Sequence, residues 1–185
     1  MPQHGEPPLP ASGPAGGPAH EGSVVEILPF SLDRSGPVLL RPRRLRSWVV
    51  DWRPSTPPRQ LILDRLTEAG LRPCVVHSTS WRHDQGRLVL THLAALAGGP
   101  CDTGELEAVA VRRCPLARSS ATHPPAVIQV EQVVEHALRH LAWLAHEDAV
   151  VRRCLGERWS LVLRAYALDA FRAMEFEPPL AGSGW

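Results

Sequence analysis

Apolar and polar residues alternate along the first half of the chain and recur at spacings of three and four along its last third. Side chains alternate faces on a strand and return to one face about every 3.6 residues on a helix, so the pattern predicts strands first and helices after. Val24-Val25-Glu26-Ile27-Leu28 reads as a short strand, and Asp33-Arg34-Ser35-Gly36-Pro37 as a turn. Val38-Leu39-Leu40-Arg41 opens a second strand that runs into the basic stretch Arg41, Arg43, Arg44, Arg46. Trp48-Val49-Val50-Asp51-Trp52 is a third, with Trp48, Val50 and Trp52 on one face and Val49 and Asp51 on the other.

A helix follows. Thr56 can cap it, Pro57 suits its first turn, and Leu61, Ile62, Leu66 and Ala69 share one face. Gly70 terminates it in a left-handed conformation, and Pro73 prevents continuation. Arg72 to Leu96 then reads as a β-hairpin turning at Asp84-Gln85-Gly86. A three-residue loop sets His77 opposite Leu93, Thr79 opposite Thr91 and Trp81 opposite Val89. A slip of one residue would regroup those pairs.

Leu106 to Val111 fits one more strand. From Val130 the period is helical, through Val134, Leu138, Leu141 and Ala145. Asp148 caps a short helix closing near Gly156, and Trp159, Leu163, Tyr166 and Ala170 mark a last one. The fold class is therefore α+β: a mixed sheet with a central hairpin, one helix after the third strand, and C-terminal helices. Met1 to Gly22 is rich in Pro, Gly and Ala and reads as a disordered tail. A single domain over residues 23–176 and a flexible tail over 177–185 complete the organisation.

Composition narrows the function classes. All 20 basic residues are Arg, so Schiff-base chemistry and a phosphate-loop Lys are excluded. The formal net charge of +1 argues against a nucleic-acid surface, which needs a basic excess. Cys74, Cys101, Cys114 and Cys154 form no C-x-x-C pair and read as free thiols. No basic start precedes an apolar run, and no stretch approaches the ~20 apolar residues of a membrane helix, so a cytoplasmic protein is expected.

Three groups of residues carry candidate chemistry. The hairpin centre, His77-Ser78-Thr79-Ser80-Trp81-Arg82, is polar for a strand. No G-x-S-x-G elbow is present, so a serine nucleophile is not indicated. The hydroxyls either satisfy one another across the strands or line a ligand cleft. Such a cleft would use His77, Thr79, Trp81 and Arg82 with Arg41 or Arg43. Trp81 can stack on a base and the guanidinium groups can pair with phosphate, which makes a nucleotide-like or other anionic small molecule the expected partner. His136 and His140 lie one helical turn apart, a spacing that lets two imidazoles meet one metal ion. Cys101, Cys114 and His123 could supply a further three-ligand site, although no close pair primes it.

The order of strands and helix from Ser23 to Leu144 resembles that of the Nudix hydrolases. Leu66-Thr67-Glu68-Ala69-Gly70-Leu71 is similar to the end of the Nudix box at Glu68, Gly70 and Leu71, and Trp52-Arg53-Pro54 is similar to the strand exit before it. The family's glycine pair is missing, Leu63-Asp64 replaces its Arg-Glu dipeptide, and Thr67 replaces one of two metal-binding glutamates. The resemblance therefore implies a fold whose hydrolytic chemistry is lost, since one carboxylate does not hold the magnesium ions that polarise a diphosphate. The reading is a non-catalytic ligand-binding or regulatory domain that requires no cofactor. Alternatives are a metal-dependent hydrolase of nucleoside diphosphate derivatives, or an interaction module that meets a protein partner or a second copy of itself.

Overall fold

The computed structural model describes residues 22–44, 48–99, 104–116 and 127–172. The stretches read as tails fall mostly outside them, as do Arg46, Cys101 and His123. The elements are β1 (Ser23–Leu32), β2 (Pro37–Pro42), β3 (Trp48–Trp52), α1 (Pro58–Glu68), β4 (Pro73–Asp84), β5 (Arg87–Leu96), β6 (Leu106–Ala110), α2 (Val130–Glu147) and α3 (Ala149–Arg172). They form an α+β fold: one six-stranded mixed sheet, open rather than closed into a barrel, with helices on both faces.

The strand β1 organises the sheet, whose order is β4-β5-β1-β2-β6. One edge of β1 pairs in parallel with β5. The other edge is shared, its first half with β3 and its last three residues with β2, both antiparallel. Pro29, which has no N–H to offer a ladder, falls at the change of partner. Because β1 is covered on both faces, nearly every residue in it is buried, which is why it reads as a continuous apolar run.

On one face, Val25, Ile27, Val38, Leu40 and Trp48 pack against Ile62, Leu66 and Leu71 from α1 and its exit. Burying Ile62 and Leu66 fully contributes about 2 kcal/mol each, enough to hold a helix whose other positions are mostly polar. This helix begins after Pro57 without a side-chain cap, so the Thr56 cap is not used. On the opposite face, Leu28, Phe30, Leu93 and Ala95 meet Leu138 and Leu141 of α2 and Trp159 and Leu163 of α3. The indole of Trp159, 1% exposed, donates to the Leu96 carbonyl at 2.8 Å and pins α3 to the sheet. Asp148 caps α3 by accepting from Val150 and Val151, and Gly156 (φ 76°) bends it where the sequence marks a helix end. No helix among the described residues is long and apolar enough to cross a membrane.

Candidate functional site

Two local features settle the hairpin. Gln85 and Gly86 have φ of 48° and 80°, and Asp84 pairs with Arg87. The loop is thus two residues long, of the type whose twist matches the flanking strands, one residue shorter than expected. Further along β4 the register shifts between Ser78 and Ser80, leaving Thr79 bulged. The bulge absorbs the difference. His77 faces Leu93 as predicted, while Trp81 faces Leu90 and Arg82 faces Val89. The polarity of β4 also finds its reason, because β4 is an edge of the sheet.

The bulge distributes the candidate residues over both faces. His77 lies on the α2 side, its ring 5.0 Å from that of His140. Thr79 is buried, and its hydroxyl donates to the Thr91 carbonyl at 3.3 Å. Trp81 is 68% exposed, with the His83 ring edge-on at 6.0 Å, and its strand partner Leu90 belongs to the α1-side core. Arg82 turns inward. It donates to both oxygens of the buried Glu26 carboxylate, at 2.7 and 3.0 Å, and to the Thr91 hydroxyl at 2.9 Å. That hydroxyl donates in turn to Glu26, and the hydrogen bond to Glu26 raises the guanidinium pKa. Arg41 and Arg43 sit on and just beyond β2, separated from β4 by β5 and β1. Arg41 pairs with Glu107, and Arg43 donates to the Gly104 carbonyl at 3.0 Å. The six residues therefore do not line one cleft.

His136 and His140 do stand together on α2, ring centroids 5.9 Å apart, and His77 joins them across the interface. His136 Nε2 donates to the Thr79 carbonyl at 3.3 Å, and the Trp143 ring lies 5.5 Å from His140. Burial, then repulsion from His77 and His136, lowers the His140 pKa, and burial lowers that of His77. Among the described residues no three His, Cys, Asp or Glu side chains are arranged to hold a metal ion. Burial also raises the Cys74 and Cys114 thiols, which disfavours the thiolate form that binds metal.

A second polar cluster occupies the same helix. Glu135, 0% exposed, accepts from Arg113 Nε at 3.1 Å on each oxygen and from Arg139 Nε at 2.8 Å. Arg113 also donates to the Ala165 carbonyl and lies 4.4 Å over the Tyr166 ring, so one carboxylate ties the strand exit to both helices.

Charge is unevenly placed. From Ala149 to Tyr166, α3 carries Arg152, Arg153, Arg158 and Arg164 against Glu157, four minus one giving +3. In α2, Arg139 stands against Glu131, Glu135 and Glu147, one minus three giving −2. Arg152, Arg153, Arg158 and Arg164 are exposed. Arg152 covers the last α2 carbonyls and Arg158 reaches the Asp33 carbonyl, while Arg153 and Arg164 meet no carboxylate among the described residues. A whole-chain charge of +1 conceals this local excess; a running charge sum would have found it.

No family model matches the chain, and no curated protein matches it significantly. Among solved structures, the chain is similar to NrtR of Shewanella oneidensis, crystallised in complex with a 27mer DNA. The TM-score is 0.52 at 13% identity, over 82% of this chain and 83% of that one. At that identity the likeness is one of fold.

Two expectations are corrected. The expectation of a degenerate Nudix hydrolase is corrected: no family model supports it, and the solved structure of similar fold is a protein crystallised with DNA, with which a Nudix-like order of elements remains compatible. Its three signature residues have a local cause. Leu71 N–H donates to the Leu66 carbonyl and Gly70 N–H to the Thr67 carbonyl, Gly70 has φ 73°, and Leu71 is buried in the same cluster as Leu66. That is a Schellman helix end, which calls for Gly and an apolar residue without reference to catalysis. Glu68 is a surface residue paired with Arg65 at 3.0 Å. The expectation of no strong nucleic-acid signal is also corrected, since the solved structure of similar fold holds a 27mer DNA and the basic excess in this chain is local.

Proposed function

We propose that this chain is a regulatory protein, without catalysis of its own, that binds DNA through exposed arginines of α3. The observation that carries the reading is the fold shared with a protein solved on DNA over four-fifths of both chains. The chemistry of α3 supports it. Guanidinium groups stay charged at any physiological pH and fork onto phosphate oxygens, and releasing the counterions held by DNA drives the association. Arg153 and Arg164 are the side chains available to do so, and Arg158 joins them by releasing its one exposed hydrogen bond to the Asp33 carbonyl, whereas Arg152 closes α2 through two carbonyls. Fluorescence anisotropy with labelled duplexes over a salt series tests the reading. Arg153→Ala/Arg158→Ala/Arg164→Ala is expected to weaken binding for all sequences and to flatten the salt slope by about 2.7, at ~0.9 per phosphate contact. Absence of wild-type binding at low salt to a genomic fragment library would sink it.

A second reading adds a small-molecule effector. A cleft of about 430 Å³ opens between β2, β6 and the first turn of α2, with an apolar lining that includes Leu39, Val109 and Val134 and with Arg41, Arg112 and Glu131 beside it. Its size and lining suit a compact, mostly apolar ligand. Thermal-shift screening of wild type against Val109→Trp checks it. A ligand at 100 times its dissociation constant adds about 2.7 kcal/mol, and the tryptophan is expected to abolish that shift.

A further inference from the structure

We propose that His77 and His140, packed together beside His136, form a proton-responsive latch that holds α2 against the edge strand β4 when the His77 and His140 rings are neutral and releases it when they are protonated. The inference is independent of DNA binding. It rests on where the rings are and on what surrounds them.

The cluster joins two elements that have little else between them at this edge. His77 comes from β4, and His136 and His140 come from the flank of α2 beside its buried stripe. The bulge at Thr79 is what makes the contact. By breaking the β4–β5 register it leaves a carbonyl for α2, and His136 Nε2 donates to it at 3.3 Å. His140 stands at the centre, edge-on to His77 at 5.0 Å, to His136 at 5.9 Å and to Trp143 at 5.5 Å.

Among the described residues no carboxylate compensates the cluster. On α2, Glu135 is held by Arg113 and Arg139 on another side of the helix, Glu131 lies in the first turn, and Glu147 at the end pairs with His146. On β4 the one acid is Asp84 at the hairpin tip, which acts on Arg82, and from β1 the buried Glu26 is held by Arg82 and the Thr91 hydroxyl. From β5, His92 is a further imidazole, pushed down by burial and by His77. From α3, Cys154 acts on Cys74 rather than on the rings. The charges that act on His140 are His77 and His136, and both oppose its protonation; the Thr79 carbonyl favours it, as the weakest influence. Two imidazolium rings about 5 Å apart repel, and partial burial leaves little water to screen them.

Amide hydrogen exchange on the full chain tests the latch, with rates corrected for intrinsic pH dependence and α1 as the internal reference. Between pH 7.5 and 5.5, the α2 amides of the wild type are expected to lose about tenfold or more in protection relative to α1. In His77→Gln/His140→Gln that relative loss should disappear, and His140→Phe, which keeps a ring without a proton to gain, should reproduce the result if the double variant fails to fold. Equal loss in α1 and α2, or an unchanged α2 loss in the variants, overturns the latch. Imidazole titration by NMR is an independent check, because His77 and His140 midpoints at or above that of an ordinary histidine would remove its physical basis.

Discussion

Two polar clusters lie side by side on α2 and treat charge in opposite ways. Glu135 is fully buried, yet two guanidinium groups and their hydrogen bonds surround it. One residue further on, His136 begins a cluster in which every ionisable group is of the same potential sign. The first is a permanent tie: its charges compensate at any pH at which the carboxylate is ionised. The second is stable only while it remains uncharged. The difference separates a group that fixes structure from one that can report on its surroundings, although both read in the sequence as polar residues on an amphipathic helix.

The largest effect should come from breaking the compensated cluster. Glu135→Ala removes the carboxylate that Arg139, 12% exposed, shares with Arg113. A loss of about 3 kcal/mol is expected in urea unfolding, toward the low end for a buried pair because Arg113 can regain water. Next comes the matching cluster inside the sheet. Arg82→Met strands Glu26, 4% exposed among β1's apolar residues, and should cost roughly 2 kcal/mol at pH 7. The cost should be smaller in Arg82→Met/Glu26→Gln, which leaves no charge stranded. An equal cost would mean that lost packing, rather than an uncompensated charge, is responsible.

The two kinds of cluster differ in how much of them is legible in the sequence. Strands, helices and the hairpin are legible because periodicity is local, and so is the His136/His140 pair, set by one helical turn. The third ring is not, since nothing near His77 announces that α2 will fold over it. Glu26 and Arg82 are 56 residues apart, so their pairing is a product of the sheet order. The loop length and the bulge compensate each other, which leaves the His77 register readable while Trp81 and Arg82 exchange faces. A strand of similar polar residues contains no signal for where a bulge will fall. The basic excess of α3 is hidden in another way, by averaging charge over the whole chain.

The uncompensated cluster should make stability depend on pH near neutrality. His77, His92 and His140 all have depressed pKa values in the folded state, chiefly from burial. Below an ordinary histidine pKa of about 6.5 the unfolded chain therefore binds more protons, and stability falls as pH drops. The Tm should decline from pH 7 to pH 5 in the wild type. The decline should be shallower in His77→Gln/His140→Gln, with a remainder from His92. A decline of equal steepness would assign it to other groups.

The smallest effect sharpens the comparison most. Arg41 and Glu107 pair across β2 and β6 with the same chemistry as Arg82 and Glu26, but their side chains are 38% and 33% exposed. Water already solvates both charges, so the pair gains little that solvent does not offer each partner alone. Glu107→Gln should change unfolding stability by less than about 0.5 kcal/mol, and that change should vanish in about 0.5 M salt. If Glu107→Gln instead costs as much as Arg82→Met, burial is not what separates strong from weak charge pairs in this sheet. The contrast drawn between the compensated and uncompensated clusters would then have to rest on hydrogen-bond geometry alone.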